Sequence, residues 1–350
     1  MNSISYLLLG VAAVNFVFTL LPLVRSDYWT FRIFDFPRLQ KLALSLVTVL
    51  LMVFFFQNNL LFIIVFSLLL LNCFYLIKLI LPYTFLYPKW VKKARSIDPD
   101  NCISLVVSNV YQDNDRFGEC VKTLMDANAD IVLLLETNQS WLENTRELEK
   151  SYPFKIQVPQ DNTYGMLFYS RFPIRNESVE FQVEDDVPSI FCQVQLGSGQ
   201  WVQLYCLHPT PPSPTENLRS TERDQELLLT AELVRKQKLP VIVMGDLNDV
   251  AWSYTTELFL KMSGLLDPRV GRGLYNSFNA RIPIMRFPLD HVFISAHFEH
   301  IQIKRLNNFN SDHFPIFAQY HYNPQAITEQ DALQPTAEDK EIAQEKRDAT

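Results

Sequence analysis

The sequence predicts an α/β fold built on mixed sheets, preceded by an N-terminal transmembrane region of three helices. Three observations carry that expectation. Long apolar runs fill the first quarter of the chain and stop there. Beyond them, short strand-like runs alternate with amphipathic helical stretches and hairpins. Carboxylates, histidines and an asparagine recur at the ends of those strand-like runs.

The membrane region comes first. Hydrophobic residues make up 48 % of the 350 residues, but unevenly. Residues 1–87 hold only seven Asp, Glu, Lys or Arg side chains: Arg25, Asp27, Arg32, Asp35, Arg38, Lys41 and Lys78. The apolar runs are residues 4–24, 39–56 and 60–86. A helix needs about 20 apolar residues to cross the hydrocarbon core of a bilayer. The first and third runs reach that length, and the second falls slightly short. Gln57-Asn58-Asn59 forms a tight polar break, so the second and third runs read as a helical hairpin. No Lys or Arg precedes the first run and no small-residue cleavage site follows it, which favours a retained helix over a signal peptide. With three spans, Arg25, Arg32, Arg38 and Lys41 fall on the same side as Lys89, Lys92, Lys93 and Arg95, and the opposite side carries no basic side chain. That asymmetry puts the soluble part in the cytoplasm.

Residues 88–100 read as a basic, Pro-containing linker. Residues 102–110 then read as a strand, 115–129 as an amphipathic helix, 130–136 and 164–169 as buried strands, and 190–206 as a hairpin. The hairpin points Cys192, Val194 and Leu196 to the same face as Val202, Leu204 and Cys206, with Gly197 to Gln200 as its turn. Cys192 and Cys206 read as opposite one another, close enough in principle for a cross-strand disulfide, although the five cysteines lack any zinc-binding spacing and read first as core thiols. A charged helix follows at 221–238, then strands at 241–246, 289–295 and 314–320. Residues 323–350 are polar and charged and read as a disordered tail. Beyond residue 87 the chain holds 26 basic and 36 acidic side chains, a net of about −10. Such an acidic domain is a poor non-specific ligand for duplex DNA, whose affinity rests on Lys and Arg at the phosphates.

The chemistry lies at the strand ends. Asn109 ends one strand, Glu136 another and Asp246 a third. His208 follows VQLYCL, Asp290 and His291 begin a strand, and Asp312-His313 precede the last. A single carboxylate at a strand end is usually a loop cap. Several at once imply one pocket at a sheet edge, and carboxylates gathered there repel unless a cation joins them. Glu, Asp and Asn oxygens suit Mg²⁺ or Mn²⁺ better than zinc.

Taken in order, the motifs are Ser108-Asn109-Val110, Leu135-Glu136, Tyr164-Gly165 with Ser170-Arg171-Phe172-Pro173, Leu207-His208-Pro209, Gly245-Asp246-Leu247-Asn248, Leu289-Asp290-His291-Val292 and Ser311-Asp312-His313. In this series the chain resembles the endonuclease/exonuclease/phosphatase (deoxyribonuclease-I-like) superfamily over residues 100–322, as a bacterial-type membrane-anchored member. The resemblance implies a four-layer α/β/β/α sandwich of two mixed sheets for a catalytic domain at 101–322. It implies a metal-dependent phosphoric ester hydrolase using Mg²⁺ or Mn²⁺. Glu136 would be the principal metal ligand, with Asn109 and Asp312 in or near the same shell. Asp246 would orient or deprotonate the attacking water, and Asn248 would hold a phosphate oxygen. His313, fixed in its tautomer by Asp290, would contact the phosphate or act as acid/base, and His208 would bind the phosphate or assist the leaving group. Tyr164 would be a further phosphate contact.

No long basic insertion favours DNA, and no lipid-specific signature stands out. The expected partners are therefore the bilayer and a phosphoester, whether a lipid headgroup, a nucleotide or a nucleic acid, with no protein partner evident. The expected location is a bacterial inner membrane. A nuclease is one competing reading, and a catalytically idle membrane adaptor is another.

Overall fold

Long apolar runs without turn residues fold as helices, because a helix satisfies every backbone hydrogen bond within the segment. A computed structural model describes residues 3–349. Met1, Asn2 and Thr350, at the outer limits of the expected membrane region and tail, lie outside the described residues. The N-terminal runs form α1 (Ser3–Leu20), α3 (Arg38–Phe54) and α4 (Leu60–Ile80), with the short α2 (Trp29–Arg32) between the first two. Asn59 starts α4 by accepting from the Leu61 amide at 3.0 Å. Two stretches, Ser3–Leu23 and Leu60–Tyr83, are long and apolar enough to cross a membrane. Trp29–Asp35 and Arg38–Phe54, bent by 68° at their junction, add a third if taken as one span. The expected second span is therefore a helix of 17 residues entered through a bend. Its polar groups face inward. Asn15 Nδ2 donates to Ser45 Oγ at 2.6 Å, and Asn72 Nδ2 donates to the same hydroxyl at 3.1 Å.

The soluble part begins with β1 (Cys102–Asn109), α5 (Phe117–Ala127), β2 (Ile131–Leu135), α6 (Gln139–Asn144), β3 (Phe154–Val158), β4 (Met166–Ser170) and β5 (Ile174–Glu180). It continues with β6 (Ser189–Gln195), β7 (Trp201–Leu207), α7 (Thr221–Lys236), β8 (Val241–Asp246), α8 (Tyr254–Ser263), β9 (Asp290–Ile294), β10 (Phe298–Arg305), β11 (Ile316–Tyr322) and α9 (Ala337–Arg347). One sheet has the order β10-β11-β1-β2-β4-β3 and the other β5-β6-β7-β8-β9. Each contains one parallel pair, β1 with β2 and β7 with β8, and is otherwise antiparallel. Leu105, Val107, Leu133 and Phe168 of the first sheet meet Cys192, Leu204, Ile242 and Met244 of the second in a fully buried core. Each large aliphatic side chain withdrawn from water there contributes about 1.5–3 kcal/mol. Cys120, Leu124 and Trp141 cover the outer face of the first sheet. Leu227, Ala231 and Phe259 cover that of the second. The result is the α/β/β/α sandwich that the resemblance implies.

Three details differ from the sequence reading. Cys192 pairs in register with Leu204 and Cys206 with Ile190, so the two cysteines are not opposite; both are buried free thiols. The stretch at 88–100 is docked: His300 N donates to Lys92 O at 2.7 Å, Ala94 N to His300 O at 3.0 Å, and Val91 lies in the central core. The tail is ordered where disorder was expected. Thr336 and Asp339 form a capping box that starts α9. Lys346 then reaches Asp224 at 2.5 Å and Arg347 reaches Glu232 at 2.7 Å, while Ala343 seats on Leu228 and Leu258. Ion pairs and a small apolar seat hold this helix, so its composition resembles that of a solvated chain.

Candidate active site

Register brings the polar strand ends together. In the parallel β1–β2 pair Asn109 lies beside Leu135, so Glu136 emerges next to it. In the parallel β7–β8 pair Leu207 lies beside Gly245, so His208 emerges next to Asp246. β9 runs antiparallel to β8 and sets Asp290 against Asp246. The loop before β11 delivers Asp312 and His313 to the same edge, where Ser311 Oγ donates to Asn109 O at 2.9 Å and accepts from His313 N at 3.0 Å. Glu136, Tyr164, His208, Asp246, Asn248, Asp312 and His313 line one cleft of about 590 Å³. Asn109 and Asp290 join it by hydrogen bonds to those residues.

The contacts within the cleft are specific. Asn109 Nδ2 donates to Glu136 Oε1 at 2.7 Å and to Asp246 Oδ2 at 3.2 Å. The Asp246 carboxylate accepts from Asn248 N at 3.0 Å and lies 3.5 Å from His313 Nε2. His313 Nδ1 is 2.8 Å from Asp290 Oδ2, and Asp290 N donates to Ser277 Oγ at 3.0 Å. Asn248 spends one side-chain N–H on Pro209 O at 2.9 Å. Tyr164 packs its ring 5.2 Å from His208 and donates its hydroxyl to Glu216.

Backbone strain marks the same positions. Glu136 holds a positive φ of 59°, a costly conformation for this residue that persists only where the surroundings impose it, and Asn248 holds 50°, which asparagine adopts readily. Gly245 is required at its place. Its φ is 151°, and a Cβ there would lie 1.9 Å from Leu207 O.

Burial and neighbouring charge set the protonation states. Burial opposes a charged His313, but Asp290 and Asp246 outweigh it and raise its pKa to about 10. Burial lowers His208 to about 4, so it is neutral at pH 7. Burial, together with the nearby Asp312 and Asp246, raises Glu136 to about 7 against the opposing pull of Asn109 and His313. Burial also raises Glu216 and, with Glu216 as partner, the Tyr164 phenol.

Other residues fall outside. His291 is buried with its Nδ1 2.7 Å from Arg269 and its Nε2 2.8 Å from Asp249 O, a structural tie whose nitrogens are both engaged. Arg171 pairs with Asn128 and lies over Tyr152. Arg286 lies over Phe314 and donates to Ala280 O. Sequence reasoning missed Glu216, Ser277 and the apolar cleft residues Phe34, Phe36, Phe278 and Met285. It also missed Arg223, fully buried, whose guanidinium donates to Asp224 at 2.8 Å and to Asn248 O at 2.9 Å. Arg223 had a signal: with Leu227, Ala231 and Val234 it lies on the buried stripe of α7, where a charge demands a partner.

Asp246, Asp290 and His313 bring possible ligand atoms within 4.8 Å of one another and could hold a metal ion. His313 already commits its Nδ1 to Asp290, so an ion there would compete with that hydrogen bond. Glu136 and Asp312, with Asn109 between Glu136 and Asp246, form an oxygen-rich alternative alongside. Asp312 Oδ1 is buried without a hydrogen-bond partner among the described residues.

Comparisons with known proteins agree with this fold. The match to the endonuclease/exonuclease/phosphatase family runs over residues 106–313. Among solved structures, D. rerio TDP2 complexed with a single-strand DNA product aligns at 16 % identity and TM-score 0.53, over 63 % of this chain and 99 % of that one. An endonuclease/exonuclease/phosphatase protein from Bacteroides vulgatus aligns at 17 % identity and TM-score 0.52, over 63 % and 99 %. A mannosyl-6-phosphatase from Bacteroides thetaiotaomicron aligns at 18 % identity and TM-score 0.50, over 63 % and 100 %. At these identities the likeness is one of fold. A search of curated proteins finds no match. With more than half of its length matched, the chain belongs to the endonuclease/exonuclease/phosphatase family of phosphoester hydrolases.

Proposed function

We propose that this protein is a membrane-anchored phosphoester hydrolase that works with a divalent cation, its catalytic domain on the cytoplasmic face of the membrane. One observation carries the reading: Asp246 stands between the Asn109–Glu136 pair and the His313–Asp290 pair, within 3.5 Å of both. The anchor rests on the apolar helices α1 and α4 and the bent α2–α3 pair, and the sidedness on the basic residues that flank them.

The donor set fits a hard cation. Glu136 and Asp312 offer carboxylate oxygens, the preference of Mg²⁺ and Mn²⁺, and Asp312 Oδ1, without a partner among the described residues, is what such a site leaves to be filled. Asn109 turns its Nδ2 to Glu136 and Asp246 and its Oδ1 to Tyr111 N, so it ties the carboxylates together beside the ion. When bound, the ion would neutralise charge on the phosphoryl oxygens.

The remaining chemistry belongs to the protein's own groups. His313 is charged at neutral pH, so its Nε2–H donates to a phosphoryl oxygen and stabilises the charge that grows there. Asp246, 3.5 Å away, accepts the proton of the attacking water. Asp290 fixes the His313 ring. The free side-chain N–H of Asn248 holds a second phosphoryl oxygen. Neutral His208 stands on the leaving-group side, where a neutral imidazole both gives and accepts hydrogen bonds.

The test uses the full chain in detergent micelles, because segments between and after the membrane helices are packed into the domain: Trp252 Nε1 donates to Asp35 O at 2.8 Å and Tyr83 to Ala251 O at 2.6 Å. Hydrolysis of bis-p-nitrophenyl phosphate is measured with Mg²⁺, with Mn²⁺ and with EDTA. Activity should need the metal, and Asp246→Ala and His313→Ala should each lower kcat at least about a hundredfold. Full turnover in either variant would remove that residue from the mechanism, and metal-independent turnover would overturn the reading.

A further inference from the structure

Resting on the hydrolase reading, we infer that the substrate is a lipid phosphoester taken directly from the bilayer. The cleft carries this inference by its two unlike walls. One bears Glu136, His208, Asp246, Asp312 and His313. The other is apolar and is built partly by the chain between α1 and α3: Ile33, Phe34 and Phe36 line the cleft with Phe278, Met285 and Phe287 of the catalytic domain. The segment that joins two membrane helices is thus also a wall of the active site.

That arrangement is clamped. Phe36 meets Phe287 edge to face at 5.4 Å, and Trp252 Nε1 holds Asp35 O. Gln40, in the first turn of α3, donates to Ile284 O at 2.6 Å. This bond sets the loop at 281–286 level with the start of a membrane helix. The loop presents Ile282, Ile284 and Met285 at 48, 76 and 42 % exposure between Arg281 and Arg286. Apolar tips between arginines suit the boundary where acyl chains meet headgroups. Phe85 and Leu86, just beyond α4, are 83 and 87 % exposed at the same end of the helices.

Charge selects against the polyanionic alternative. Among the described residues no Lys or Arg lines the cleft, whereas Glu136, Glu216, Asp246 and Asp312 do. A nucleic acid needs basic groups for each phosphate it brings. One phosphoester with an apolar tail needs a single catalytic centre and an apolar wall, and both are present. In the reaction, water oxygen forms a bond to phosphorus and the ester P–O bond breaks. Asp246 takes the water proton, and the alcohol oxygen leaves with the bonding pair and takes a proton from solvent water, to which Asp246 afterwards returns its own.

The experiment reconstitutes the full chain in nanodiscs of phosphatidylethanolamine, phosphatidylglycerol and phosphatidic acid with Mg²⁺ or Mn²⁺, following lipid hydrolysis by mass spectrometry. The deacylated counterparts (two glycerophosphodiesters and glycerol 3-phosphate), a single-stranded oligonucleotide and bis-p-nitrophenyl phosphate are assayed in parallel. At least one lipid should be cleaved with kcat/KM about a hundredfold above its deacylated counterpart and above the oligonucleotide. Ile284→Gln, at an exposed position, and Phe36→Ser should each lower the ratio of lipid to bis-p-nitrophenyl phosphate turnover about tenfold, with the melting temperature checking that each variant folds. Hydrolysis of bis-p-nitrophenyl phosphate with no lipid preference, or with preference for the oligonucleotide, would overturn this inference and leave the hydrolase reading standing. An unchanged ratio in both variants would likewise overturn it. No turnover of any substrate would overturn both.

Discussion

His313 holds its Nδ1 2.8 Å from Asp290 Oδ2, and both side chains are almost wholly shielded from water. Burial alone would leave this imidazole neutral, and the carboxylate beside it is a main reason it is charged. Asp290→Asn keeps a hydrogen-bonding group of the same shape and removes the charge. The His313 pKa should therefore fall, and the alkaline limb of kcat/KM should move to lower pH. At neutral pH kcat should drop about a hundredfold. A pH profile on bis-p-nitrophenyl phosphate measures this, and an unmoved alkaline limb would separate Asp290 from the titration of His313.

Metal binding should carry its own pH signature. Glu136 titrates near 7 before an ion arrives, so binding at lower pH must expel its proton. Affinity for Mn²⁺ should rise by up to tenfold per pH unit from about 5 to about 7 and level off above. Isothermal titration in buffers of different ionisation enthalpy would show one proton released per ion at the acidic end. Glu136→Gln should weaken binding and abolish the slope. A wild-type affinity flat across this range would exclude Glu136 as a ligand.

Stability should fall with rising pH because of Glu226. This carboxyl is buried, accepts from Ser189 Oγ at 2.5 Å and titrates near 7 in the fold. Its folded pKa lies above its unfolded one, so the native state binds the extra proton between about 4.5 and 7 and loses stability as pH rises through that window. The penalty reaches at most about 3 kcal/mol above pH 7. Glu226→Gln retains an acceptor for Ser189 and carries no charge. Its melting temperature should match the wild type near pH 4 and exceed it at pH 8. Equal values at pH 8 would refute the assignment.

Arg223 should prove to be a positioning residue for Asn248. It is buried against Asp224 and Asp249 while donating to Asn248 O. Arg223→Met leaves Asp249 without its cation and Asp224 with Lys346 alone, and it frees the loop at Asn248, at a cost of about 3–5 kcal/mol. Among molecules that remain folded, KM should rise more than kcat falls, because the role proposed for Asn248 is to hold a ground-state oxygen. A kinetic split in the opposite sense would contradict the proposed role.

Legibility followed the physics of each feature. Strand-end residues such as Asn109, Asp246 and His313 could be read because a polar side chain closing an apolar run stands out locally. The parallel registers that gather them could not, since register depends on which strands neighbour one another. Ser277, which accepts from the backbone of Asp290, lies in a loop with no periodicity. The order of α9 was hidden because its partners, Asp224 and Glu232, are far away in sequence. The dual use of residues 33–37 was hidden too. Nothing local in that apolar stretch signals a second contact, and only the fold reveals that Phe36 lines the cleft.

The hydrogen bonds from Asn15 and Asn72 onto Ser45 have a mechanical consequence. They join the three helices at a single level and resist sliding of one helix along another. If the bundle spans a membrane as proposed, a bilayer thinner or thicker than it prefers would place the mismatch on tilt of the whole bundle. Because Phe36 and Gln40 fasten the domain to the same frame, tilting the helices tips the mouth of the cleft. With the proposed anchor in place, membrane thickness would set the angle at which the cleft meets the lipid surface.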